Sequence, residues 1–144
     1  MIKDILTGIS VKLNQTFGDG YEIYGSTNVE QGLQEPCFFI AVLNPSQTKR
    51  LGQRYFREHP FDIAYFPKKP GDNMELLTVA SDMLDALEYI TLSNGDLLQG
   101  NGLNYEIVDG VLHFRANYNI FVAKYEDKEK LEMMIIDEHT VLER

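Results

Sequence analysis

The stretch Asp109-Gly110-Val111-Leu112-His113-Phe114-Arg115-Ala116-Asn117-Tyr118-Asn119-Ile120-Phe121-Val122-Ala123 decides the fold class. An Asp-Gly turn signal is followed by clean alternation. Leu112, Phe114, Ala116, Tyr118, Ile120 and Val122 take one face, and His113, Arg115, Asn117 and Asn119 take the other. Successive strand side chains point to opposite faces, so the pattern predicts a half-buried strand entered from a hairpin. Asn94-Gly95 is a second hairpin signal of the same kind.

Working outward, Cys37–Leu43 is apolar at every position, too short for a typical helix and rich in β-formers. It predicts a strand covered on both faces. With helices on one side only, the second cover must come from elsewhere, a neighbouring subunit being one candidate. Asn44-Pro45-Ser46 closes it. A second extended run, Leu51–Phe66, has Tyr55, Phe61, Ile63 and Tyr65 on one face, with Arg54, Phe56, Glu58 and Asp62 on the other. Pro60 donates no ladder hydrogen bond, which predicts a bend, bulge or edge there. Residues 1–17 read as an amphipathic helix on Ile2, Ile5, Leu6, Ile9, Leu13 and Phe17, ended by Gly18-Asp19-Gly20. A short strand, Tyr21–Tyr24, follows. Asp72 and Glu75 have the spacing of a capping box that opens a second helix. Its buried stripe runs through Leu76, Leu77, Ala80, Met83, Leu84, Leu87 and Ile90.

The element order is α-β-β-β-α-β-β-β, which predicts an α+β fold: a mostly antiparallel sheet with two helices packed on one face, plus a C-terminal arm. We read 1–125 as one domain and 126–144 as a charged segment. That segment holds seven acids and three bases around Met133, Met134, Ile135 and Ile136. It reads either as a solvated terminal helix or as an arm docked on a neighbouring subunit, since four consecutive apolar residues cannot all face one core from a helix.

The chain has 144 residues and 16.5 kDa, the size of one ordinary domain, with net charge −9 and a pI near 4.7. This balance argues against a dedicated duplex nucleic-acid binder and against adsorption to anionic membranes. Cys37 is the single cysteine, so no intrachain disulfide forms. The opening Met1-Ile2-Lys3-Asp4-Ile5-Leu6 breaks its apolar pattern with charge at once, unlike a signal peptide, and no apolar run has spanning length. A soluble intracellular protein is the expectation.

Signals for chemistry are weak. His59, His113 and His139 lack metal-ligand spacing, and Cys37 reads as a small core residue. Gly18-Asp19-Gly20 and Gly100-Asn101-Gly102 read as turns, without the strand-glycine-helix context of a phosphate cradle. Asp19/Glu22 and Asp137/Glu138 look like surface carboxylates, and Asp62, between Phe61 and Ile63, is expected to point outward. No catalytic residue, cofactor or metal is therefore expected. One basic stretch stands out: Lys49, Arg50, Arg54, Arg57, Lys68 and Lys69 supply six of the thirteen basic residues. It reads as a nucleic-acid contact, as a patch for acidic protein surface, or as a solvated hairpin whose charges discourage edge aggregation. A basic hairpin on an acidic chain suits head-to-tail self-association, and heterologous contacts of that kind build rings.

The segments Glu30–Ile40, Leu43–Gln47, Arg54–Arg57, Pro60–Ile63, Tyr65–Pro67 and Asn104–Phe114 together resemble a family of small tail proteins from phages and phage-tail-like particles of Gram-positive bacteria, the tail terminators. The resemblance implies a mixed α/β subunit forming a hexameric ring that caps the head-proximal end of the tail tube. Such a ring ends elongation and prepares the tail for joining to the head and neck. Its implied partners are itself, the tail tube protein, neck and connector proteins and, in a contractile tail, the last sheath ring. DNA passes through such a ring without sequence-specific contact. The family brings no catalytic residues. Lys49, Arg50, Arg54 and Arg57 are the expected subunit or tube contacts, and Met133, Met134, Ile135 and Ile136 part of the docking arm. The competing expectation is a head-tail completion adaptor that binds the connector without closing its own ring. A small enzyme or ligand-binding domain is a more distant one.

Overall fold

Ile5, Ile9 and Leu13 recur at helical spacing and are fully buried, which seats α1 (Ile2–Phe17) along one stripe. The structure, a computed structural model, describes residues 1–25, 34–126 and 131–136. After Gly18, whose φ of 88° ends the helix, come β1 (Glu22–Gly25) and β2 (Cys37–Val42). Then follow β3 (Ser46–Lys49), β4 (Arg54–Glu58) and β5 (Pro60–Phe66). The second helix, α2, spans Asn73–Ala86, and β6 (Tyr89–Thr91), β7 (Leu97–Val108), β8 (Val111–Tyr118), β9 (Ile120–Glu126) and β10 (Leu131–Ile136) complete the order.

The strands form two sheets: a six-stranded one ordered β1-β2-β5-β8-β7-β6 and a four-stranded one ordered β10-β9-β4-β3. Every pairing is antiparallel except β1 with β2. The fold is the expected α+β, mostly antiparallel, with both helices on one face of the larger sheet. Their buried side chains meet Phe38, Ile40, Phe61, Ile63, Tyr65, Leu112, Phe114 and Ala116 in one core. Register explains the layer: Phe38 lies opposite Tyr65, Ile40 opposite Ile63, and Ile63 opposite Phe114.

Two long runs expected as single strands are each broken. Leu51–Phe66 divides at His59 into β4 and β5, and 111–123 divides at Asn119 into β8 and β9. Each run steps from one sheet to the other at that point. The alternation survives the step: Tyr118, Ile120 and Val122 are all buried. Pro60 marks the bend in sequence, because it offers no N–H to continue the ladder. The junction is tied by His59 N–H donating to Asn117 Oδ1 at 3.1 Å and Tyr118 N–H donating to the His59 carbonyl at 3.0 Å.

Other expectations are refined. Both Asn94-Gly95 and Asp109-Gly110 are turns between adjacent antiparallel strands, with positive φ at Gly95, Asp109 and Gly110. Gly100-Asn101-Gly102 is no turn; it lies inside β7 at a register shift between Asn101 and Asn104. There Gly100 N–H donates to the Glu88 carbonyl at 2.7 Å, and a Cβ at Gly100 would lie 2.9 Å from the Leu87 carbonyl oxygen, so the close backbone approach demands the glycine. Cys37, Phe38 and Ile40 are buried, whereas Phe39, Ala41 and Val42 are half-buried and Leu43 is exposed. The second face of β2 is thus only partly covered. Leu77 is exposed, Val79 takes its place in the buried stripe of α2, and Ile90 is buried from β6.

Candidate interaction surface

Alternation along β4 separates two sets of side chains. Lys49, Arg50 and Arg54 gather in full exposure around the β3–β4 turn, with Arg57 half-buried further along β4. Lys68 and Lys69 follow the other end of β5 and are separated from this cluster by two strands. The stretch that is continuous in sequence is therefore split in space. Sequence reading missed Lys124, which β9 brings beside β4; its ammonium lies over the Tyr55 ring, 4.4 Å from the centroid.

The opposite face carries Phe56 and Phe121, whose ring centres are 4.8 Å apart, with the Arg50 guanidinium 5.1 Å from the Phe56 ring centre. Arg57 Nε donates to Gln47 Oε1 at 2.7 Å. Among the described residues the basic side chains in contact with a carboxylate are His113, on Asp62, and Arg115, on Glu106, so the four cations of the β3–β4 hairpin have no carboxylate partner there. They place positive charge on both faces of the hairpin, Lys49 and Arg57 on the Tyr55 face and Arg50 and Arg54 on the Phe56 face.

Beside this hairpin an open groove runs past the start of α1, lined by Lys3, Ser46, Gln47, Arg57 and His59. His59 is buried, and its Nδ1 lies 3.0 Å from the Tyr118 carbonyl, an acceptor, so Nδ1 carries the proton. Burial pushes its pKa down, the carbonyl contact partly opposes this, and nearby Arg57 lowers it further. His59 is neutral at pH 7 and adds no further positive charge.

Met133, Met134, Ile135 and Ile136 lie in β10, paired with Lys124, Ala123, Val122 and Phe121 of β9. Of the two readings of this segment, the terminal helix is corrected: the apolar run is strand backbone. Consecutive apolar residues fit a strand with two sides as readily as a helix, and the short run carried no period to separate them. Residue 125 falls inside β9. Asp137, Glu138, His139 and Glu30–Leu33 lie outside the described residues.

The remaining candidates fall in other places. Cys37 is fully buried, and burial, then Glu35 and Glu22, push its thiol up to about 11, so it is a protonated core residue at neutral pH. Asp62 points away from the helices as expected and meets His113 Nδ1 at 3.1 Å. Asp19 accepts a hydrogen bond from Asn14 on the exposed surface. Among the described residues no group of three His, Cys, Asp or Glu side chains could hold a metal ion, and no helix is long and apolar enough to cross a membrane.

Comparison with known proteins agrees with the resemblance. A family model described as phage tail terminator protein matches residues 4–130. Among curated proteins nothing matches the chain.

Proposed function

The chain belongs to the phage tail terminator family, and from that premise we propose that it assembles into a ring of six copies at the head-proximal end of the tail tube. Membership gives a structural role in a phage tail. The finer reading is that the ring ends tube elongation and presents the surface on which head and neck proteins dock. The observation that carries it is the family match, which spans nearly the whole chain. The cations of the β3–β4 hairpin, which have no carboxylate partner among the described residues, support it, because positive charge gathered on a chain of net charge −9 suits contact with a neighbouring copy. On this reading residues 1–125 supply most of the folded unit of the ring, 126–144 contribute an inter-subunit arm of which β10 also pairs with β9 of its own chain, and no chemical step is involved.

The test is the copy number on tails. A mass near six times 16.5 kDa is expected, either in solution or on the ends of purified tail tubes. Tails assembled without the protein should have uncontrolled length and fail to join heads. A protein that binds tube or connector only as single copies would replace the ring with an adaptor.

A further inference from the structure

Two surfaces of the fold expose apolar side chains beside charges that meet no counter-charge among the described residues. The first is the tip of the β3–β4 hairpin. Arg50 N–H donates to the Arg54 carbonyl at 2.7 Å and Arg54 N–H to the Leu51 carbonyl at 3.3 Å, and Gly52 takes the φ of 66° that this closed turn needs. Leu51 is held outward, 89% exposed, with Arg50 and Arg54 beside it on the Phe56 face. A lone exposed leucine is ordinary; this one heads a turn whose neighbouring cations have no carboxylate partner among the described residues.

The second surface is the outer face of α2. At about 100° per residue, Met74, Leu77, Thr78, Ser81, Asp82 and Asp85 share the side turned away from the buried stripe of Leu76, Val79, Ala80 and Met83. All six are exposed, Met74 at 70% and Leu77 at 42%. The apolar pair occupies the start of this face and the carboxylates its end, with Glu88 exposed just past the cap. Carboxylates there meet the negative end of the helix macrodipole, and the last turn holds no base to offset them. Asp82 and Asp85 also repel each other at i, i+3. Neither they nor Glu88 have a cation partner among the described residues. This arrangement works against the helix taken alone, and a cation brought from outside relieves it.

We propose that the β3–β4 hairpin tip of one copy docks on the outer face of α2 in a second copy, Leu51 against Met74 and Leu77, and Arg50 and Arg54 against Asp82, Asp85 and Glu88. Leu77 and Asp82 stand about 8 Å apart along the helix axis, so a tip seated on Leu77 brings its arginine side chains within reach of the carboxylates. A second copy fits because apolar-beside-cationic on one surface matches apolar-beside-anionic on the other. Within one copy α2 packs on α1, β7 and β8, and both Leu51 and Met74 are left open. The two surfaces differ, so the contact is heterologous and repeats around a ring. This inference rests on the ring reading above, which supplies closure.

Charge reversal tests it on the full chain, by sedimentation of the protein alone or bound to purified tail tubes. Arg50→Glu with Arg54→Glu, and separately Asp82→Lys with Asp85→Lys, should each lower assembly about tenfold or more while melting shows a folded chain, since all four side chains are exposed. Mixed together, the two variants should assemble. The reversed hairpin of one meets the reversed helix of the other, natural hairpin meets natural helix, and six copies alternate without a mismatch. Asp82→Lys with Asp85→Lys assembling as well as the natural sequence overturns α2 as the acceptor and leaves the ring standing; a mixture that stays dissociated does the same. Should a reversed variant fail to fold, Leu51→Ser and Met74→Ser decide: loss of assembly by about tenfold in both supports the contact, and undiminished assembly in either overturns it. A natural chain that does not assemble, alone or on tubes, overturns the ring reading and this contact with it.

Discussion

Single residues show where backbone approach overrides local preference. Gly8 sits inside α1, where alanine ordinarily gains about 1 kcal/mol over glycine. A Cβ there would lie 2.9 Å from the Thr91 carbonyl oxygen and 3.3 Å from Ile90 Cδ1. Overpacking of that kind costs about 1–3 kcal/mol. Gly8→Ala should therefore lower the thermal midpoint by a few degrees, and a rise would mean that α1 stands further from β6. Glu75 gives a second test. Burial alone would raise its pKa, but hydrogen bonds from the Tyr65 hydroxyl (2.5 Å) and the Lys68 (2.8 Å) and Lys69 (3.3 Å) amides hold it below the ordinary 4.5. Its contribution is thus fully present above that value and lost as pH falls through the lower folded-state pKa. The stability gap between the natural protein and Glu75→Gln, read by denaturant melts, should shrink as pH drops from about 5 to about 3. A gap constant with pH would mean that the carboxylate charge is not what these donors hold.

Elements are set by short signals that differ in how completely they were read. The spacing of Asp72 and Glu75 did locate the start of α2, and Asp72 accepts from Glu75 N–H at 3.1 Å. The reciprocal half of the capping box is not made, because Glu75 turns to the Lys68 and Lys69 amides and Tyr65 instead. Asp72→Ala should cost about 1 kcal/mol in chemical denaturation. Loss of less than a few tenths would indicate that the Glu75 contacts alone fix the helix start. Strand alternation predicted the buried faces of β5, β8 and β9 correctly from Phe61, Ile63, Leu112, Phe114 and Val122. It did not reveal the step between sheets, because a strand that bends at His59 or Asn119 keeps the same period-two pattern on both sides.

Across the whole molecule, charge is uneven, and the proposed ring would have to accommodate it. A ring of six would carry about −54, so long-range repulsion must be offset by pairing at contacts. Replacing Arg54 and Arg57 together by glutamate should disrupt assembly while circular dichroism and melting show an intact fold. Unchanged assembly would remove both residues from the interface. Assembly should also weaken with added salt, measured by sedimentation; indifference to salt would point to apolar contacts. The hairpin cations Lys49, Arg50, Arg54 and Arg57 were legible as a cluster, because neighbours in a turn stay neighbours in space. Lys124 was not, since only the pairing of β9 with β4 brings it there.

Local pattern was enough to set the helices, most strands, the two strongest turns and the buried faces. Each of these depends on periodicity or on conformations that glycine, asparagine and proline allow within a few residues. Tertiary pairing alone divides the strands between two sheets, takes Lys68 and Lys69 out of the basic cluster, and makes Met133–Ile136 a strand beside β9. The physical reason is that strand partners are chosen by hydrogen bonding and packing between segments distant in sequence. A local pattern records which face is buried, not which neighbour buries it.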